Sequence, residues 1–333
     1  MRPSPFVNLA AFFTIAASIA VSTPGLAQTK LDMVGFGGAS NLPIWVAIDQ
    51  GLFKKEGLDV KLDRTAGSVA QMQNLMAGKY QIASTSIDNI LAYSEGQGDV
   101  QLDNFDVVAV GGVHSGLNSV VARPEIKSYA DIKGKAVAVD ALGTGYAFVL
   151  FKILERNGLA FQKDYSVVAV GGGTERLNAL KENKAVAAVM SAPNDTEAKN
   201  LGYTILADAA KELGGYQGSA YAVRRSWAKD HEKETVAWLR ALIAAHDWVF
   251  ANKAGAFTVL KKNIKDLKDE DAEIIYSSLT TGSGGLNQKA AINVSGMKTV
   301  LSLRGEYATP KKNLTDANKY MDLSFHQKAM GVR

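Results

Sequence analysis

The residues best able to do chemistry in this chain sit just after short apolar runs, where strands would end and loops would open. Gly143-Thr144-Gly145-Tyr146 is the most physical of them. Thr144 can cap a helix over 145–157, and the glycines beside it leave the first helical N–H groups accessible, which favours a negative or partly negative group. Comparable loops supply Gly38, Ser40 and Asn41, then Thr85, Ser86 and Asp88, then His114, Thr174, Ser191, Asn194 and Tyr216. Hydroxyls, amides, one imidazole and one carboxylate suit recognition of a small polar solute by hydrogen bonds. Phe36, Trp45 and Tyr146 offer flat apolar surface to a ring. Asp140 falls near the same edge, and no arginine lies inside these loops. A neutral or zwitterionic solute, or one with a single carboxylate, is therefore expected ahead of a small dianion.

The patterns that would make an enzyme are incomplete. No motif joins Ser86, Asp88 and His114 as nucleophile and base. GFGG at 35–38 lacks the third glycine of a dinucleotide fingerprint. Ser295 and Lys298 fit S-x-x-K, but the companion K-T-G is missing. His231, His246 and His326 stand at no metal-ligand spacing, so neither metal nor cofactor is expected.

Elements that could position these groups are legible around residues 41–60, NLPIWVAIDQGLFKKEGLDV. LDMVGF at 31–36 reads as a strand, Asn41 as an N-cap and Pro43 as a first-turn residue. Gly51 reads as a left-handed helix stop, and LDVKLD as a second strand. Two later stretches share one plan. A helix begins at Gly67-Ser68 and ends near Lys79, after which Ile82-Ala83 lead to Ser84, Thr85 and Ser86. A second begins at Gly173-Thr174 and ends near Lys184, after which Val186 to Met190 lead to Ser191. This doubling predicts two α/β lobes, and the glycine-rich crossings at 110–116 and 213–219 predict where the chain passes between them. Lobe 1 is expected over 28–114 and 218–333, and lobe 2 over 115–217, with a hinged cleft between. Beyond residue 230 the apolar spacing is helical; Trp238, Leu239, Leu242, Ile243 and Val249 form one stripe with His246 at its edge.

The run AIDQGLFKKEGLDVKL resembles the first strand-helix-strand unit of the solute-binding proteins of ABC importers, in the branch for sulfonates, taurine, nitrate and thiamine-precursor pyrimidines. QNLMAGKYQIASTS (73–86) and SYADIKGKAVAVD (128–140) are similar to that family's second helix with third strand and to the start of its second lobe. The resemblance covers roughly 31–210. It implies an α/β type II periplasmic-binding fold, a small organic solute held between lobes, and ABC permease subunits in the inner membrane as partners. Relatives that bind sulfonates carry a serine-rich turn where this chain has Leu142, Gly143 and Tyr146, which moves a carboxylated or heterocyclic solute ahead of a sulfonate. A ligand sensor for a membrane receptor and a periplasmic enzyme are the other readings of the same cleft. The thiamine-precursor synthases of this fold use a cysteine-bearing motif, and this chain has no cysteine.

Composition agrees with an exported monomer. Residues 1–27 read as a signal peptide: Arg2, an apolar Phe6–Val21 run, then Gly25-Leu26-Ala27 at the cleavage position. That run is shorter than the roughly 20 residues needed to span a bilayer. The net charge of +4 is spread without a basic block, so nucleic acid is not an expected partner.

Overall fold

The computed structural model describes residues 28–116, 118–282 and 284–332; the expected signal peptide lies outside the described residues. The first half of the chain alternates strands and helices. It runs β1 (Thr29–Phe36), α1 (Leu42–Asp49), α2 (Leu52–Lys55), β2 (Leu58–Thr65), α3 (Ser68–Met76), β3 (Ile82–Ser86), α4 (Ile87–Ser94) and β4 (Val107–His114). A second series follows: β5 (Ser119–Ala122), β6 (Ala136–Val139), α5 (Gly145–Arg156), β7 (Ser166–Ala169), α6 (Gly173–Lys181), β8 (Ala187–Met190), α7 (Asn194–Asn200), β9 (Thr204–Asp208) and α8 (Ala209–Leu213). After β10 (Ser219–Arg224) the chain is helical through α9 (Arg225–Asp230), α10 (Glu232–Ala251), α11 (Lys253–Asn263), α12 (Asp269–Thr281), α13 (Val294–Tyr307) and α14 (Ser324–Ala329).

These strands make two five-stranded sheets of one plan, ordered β2-β1-β3-β10-β4 and β7-β6-β8-β5-β9. In each, three parallel strands are followed by one that runs antiparallel to both its neighbours, β10 in the first sheet and β5 in the second. Each sheet anchors a lobe. The first draws on 29–114 and 219–224, the second on 119–208. β10 is the strand that returns to the first sheet after the second lobe is complete. It is the reason one lobe is built from two stretches of chain.

Local chemistry explains the first unit. Gly51 stops α1 with φ 65° and ψ 25°, a conformation that costs glycine little. Pro43 sits in the first turn, where a missing N–H is tolerated. Asn41 departs from its expected role. Its side chain makes no cap hydrogen bond; the amide donates to Phe36 O at 2.7 Å and to Gly38 O at 3.2 Å, pinning the loop between β1 and α1. Ser84, Thr85 and Ser86 also differ from expectation. They belong to β3 itself, and α4 follows at once.

Apolar packing ties the lobes together. One face of the first sheet packs under α1, α10 and α11 through Leu42, Ile44, Trp238 and Leu242. On the other side a single buried cluster runs from Ile87 and Leu91 of α4, through Met297 and Val300 of α13, to Phe148 and Phe151 of α5. Helix α13 thus packs on both lobes. Burying such side chains contributes roughly 1.5–3 kcal/mol each, so this junction resists separation. His246 lies fully inside the core beside Tyr221, whose hydroxyl is 3.2 Å away, and not at the edge of its stripe.

Candidate ligand-binding site

Two connected spaces lie between the lobes. An outer groove has a volume of about 810 Å³ and an inner chamber one of about 80 Å³. They share Phe36, Gly37 and Asn194, which stand where one leads to the other. The chamber is on the scale of a small solute.

The lobes meet around the chamber. Ala39 N–H donates to Ala192 O at 3.0 Å, and Gly172 N–H donates to Ala66 O at 3.2 Å. Ser68 Oγ donates to Asp140 at 3.2 Å, while Asn200 donates to Asp271 at 2.8 Å farther out. Arg64 reaches Thr174 at 3.4 Å and Glu175 at 3.5 Å. A solute inside is enclosed by backbone from both sides.

Of the residues expected from sequence, the chamber brings together Ser40, Ser86, His114, Thr144, Gly145, Tyr146, Ser191 and Asn194. Ser86 and Ser191, the matching serines of the doubled plan, both line it. Gly38, Asn41, Trp45 and Thr174 line the outer groove instead. Thr85 is fully buried and takes a hydrogen bond from Asn89 at 2.9 Å. Tyr216 packs against Tyr146 with ring centroids 6.3 Å apart, at the return crossing. Gly143 contributes its carbonyl to Arg304, 2.7 Å away. Asp88 is committed to the same arginine: Arg304 Nε donates to one carboxylate oxygen at 2.6 Å and Nη2 to the other. Both side chains are buried, which removes Asp88 from the chamber as a free carboxylate.

The chamber also contains an arginine that inspection of the loops misses. Arg176 is 7% exposed and lies one turn inside α6, just past the loops where ligand groups were sought. Its Nε donates to Gly172 O at 3.3 Å, and no other hydrogen bond to the side chain is made among the described residues. Burial pulls its pKa below the ordinary value, against the pull of Asp140. Asp140 follows β6 directly on the chamber wall, and burial raises its pKa while Arg176 and the Ser68 hydrogen bond lower it. No arginine lies inside the loops themselves, and Arg176 reaches the chamber from the helix that follows one of them. Phe36, Asn89, Asn118 and Ser219 complete much of the lining, and one buried hydroxyl there, Ser86 Oγ, has no hydrogen-bond partner among the described residues. His114 stays neutral: its Nδ1 accepts from Gly116 N–H at 3.1 Å, and burial pushes its pKa down to about 4.

This arrangement can hold a solute by charge and hydrogen bonds from loops on two sheets. The profile of the family described as NMT1/THI5 like matches residues 39–256. The chain belongs to that family. YtlA of Bacillus subtilis (strain 168) is 24% identical over 243 residues, 71% of this chain and 70% of YtlA. Among solved structures, the periplasmic nitrate-binding protein NrtA from Synechocystis PCC 6803 superposes with a TM-score of 0.75 at 16% identity, covering 91% of this chain and 89% of NrtA. The ligand-binding component of an ABC-type import system from Staphylococcus aureus gives 0.73 at 12% identity, covering 91% and 99%. These likenesses show the two-lobed periplasmic-binding-protein fold. The span matched to the NMT1/THI5-like family contains every chamber residue except Phe36 and Gly37, and it stops short of Arg304. Among the described residues, no helix is long and apolar enough to cross a membrane.

Proposed function

We propose that this chain is the periplasmic substrate-binding component of an ABC importer, exported by its N-terminal segment, which captures a small carboxylated organic solute and delivers it to a membrane permease. The observation that carries this reading is Arg176, a buried guanidinium facing an enclosed polar chamber between two lobes. A buried guanidinium with one hydrogen bond and no ion pair in direct contact keeps most of its donors free, and a bound carboxylate can take two of them in a bidentate pair. Phe36 and Tyr146 supply flat walls for the solute's apolar part, a ring included. Closure of the lobes over the solute uses binding energy to favour the closed form, which the permease then recognises. No step of this cycle makes or breaks a covalent bond.

The test is a thermal-shift screen of residues 28–333 against carboxylates, sulfonates, pyrimidines and nitrate, repeated with Arg176→Gln. A solute at 100 times its Kd adds about 2.7 kcal/mol of stability. The expected result is a shift with at least one carboxylate, recovered unaltered, and its loss in R176Q. Recovery of a chemically changed solute would overturn the reading in favour of an enzyme. A solute bound equally well by R176Q would remove the argument from charge.

A further inference from the structure

The chamber's formal charges come from Arg176 and Asp140, and both belong to the second lobe. The first lobe brings neutral groups to it, His114 included, because its imidazole stays uncharged at neutral pH. Asp88 and Arg304 neutralise each other outside the chamber. Glu175, which acts on both of them, is paired with Arg64 at 3.5 Å, so the lining itself carries one cation and one anion and is balanced while empty. A solute that is only an acid would satisfy Arg176 and leave the chamber with an excess negative charge beside Asp140. A solute that is only an amine would do the reverse. Arg176 and Asp140 form no ion pair within 4 Å of each other, so each is available to a different end of one molecule.

We infer, building on the solute-binding reading above, that the solute is zwitterionic: an acid group held by Arg176 and an ammonium or other N–H donor held by Asp140. Asp140 has room for this second role. Among the described residues its side chain takes one hydrogen bond, from Ser68 across the lobes, and that bond uses a single carboxylate oxygen. The same contact couples recognition to closure. When the solute's donor orients Asp140, the other oxygen is presented to Ser68 of the opposite lobe. The chamber's size restricts the solute to a small molecule. Because both charged groups stand on the second lobe, the solute docks there first and the neutral first lobe closes over it.

The experiment uses matched series: glycine, β-alanine, 4-aminobutyrate and taurine against acetate, propionate, butyrate and ethanesulfonate, and against the corresponding alkylamines. Binding to residues 28–333 is measured by calorimetry for the wild type, Asp140→Asn and Arg176→Gln. One amino acid in the series is expected to bind at least tenfold tighter than both its plain acid and its plain amine. D140N should weaken that amino acid at least tenfold and close the gap to the plain acid, while R176Q should weaken both. A plain acid that matches its amino analogue, or an unchanged amino-acid affinity in D140N, overturns the inference and leaves the solute-binding function standing. If nothing in the series binds, mass spectrometry of small molecules released by denaturing the purified protein decides. A released solute bearing both acid and N–H donor supports the inference, and one lacking the donor overturns it. No released solute at all overturns the binding function with it.

Discussion

Protonating either buried histidine would place a charge where burial strips it of solvation. His114 and His246 have pKa values pushed down to about 4, in both cases chiefly by burial. Unfolded, each takes up a proton near pH 6.5; folded, only near pH 4. The unfolded chain thus binds more protons between those values. Stability is fully present above about pH 6.5 and falls as pH drops through the window. At pH 5 the loss is on the order of 2 kcal/mol per histidine. Urea unfolding at pH 7.5 and 5.0 should show the drop, and His246→Gln should remove about half of it. Equal stability at the two pH values would mean that neither imidazole is shielded as described. The same residue scale explains what could be read from sequence. Ser86 is the last residue of a strand, Ser191 and Thr144 come just after strands, and all three line the chamber. Arg176 stands one turn inside a helix, where an arginine is ordinarily a solvated surface residue, so nothing local marks it.

At the scale of elements, α13 matters more than its composition suggests. Its Arg304 clamps Asp88 on α4, and it also holds the Gly143 carbonyl at the start of the α5 turn. Lys152 and Glu306 add a bridge of 2.8 Å between α5 and α13, and Phe148 stacks with Tyr307 at 5.8 Å. Gly145 fits only because it lacks a side chain: a Cβ there would stand 2.5 Å from the Cβ of Asp88. Removing one partner of a buried ion pair leaves the other uncompensated, so Arg304→Met should cost about 3–5 kcal/mol. The double variant R304M/D88L, which removes both charges, should recover most of that in urea unfolding. If the double variant is no more stable than R304M, the loss comes from packing on Phe148 and not from the stranded carboxylate. Asp88 illustrates a limit of reading along the chain. Its partner is 216 residues away, and no spacing rule connects them. The strand-helix units, by contrast, are written locally in Gly51, Pro43 and the doubled serine plan, which is why the two-lobed fold could be anticipated while the charge balance of its site could not.

For the whole molecule, the junction through α4, α13 and α5 and the contacts across the chamber differ in kind. The junction is a continuous apolar cluster, whereas the cross-lobe contacts are a few hydrogen bonds, worth roughly 0.5–1.5 kcal/mol each. Opening should therefore break the second set and pivot on the first. Gly172 tests this. Its φ of −65° and its place just before α6 suit proline, and the one close contact of an added Cβ, 2.9 Å from Glu175 Oε2, is with the end of a flexible side chain that can move, so Gly172→Pro should fold. Proline removes the N–H that reaches Ala66 O across the lobes at 3.2 Å and puts a ring carbon in its place. The ring should hold the lobes apart. Solute affinity is expected to fall at least tenfold through a faster dissociation rate, with the unfolding midpoint of the solute-free protein unchanged. Small-angle scattering with saturating solute should show the wild type contracting and G172P contracting less. Full contraction and wild-type affinity in G172P would place the closing contact elsewhere, and the hydrogen bond from Ala39 to Ala192 on the other flank of the chamber would then be the one to break.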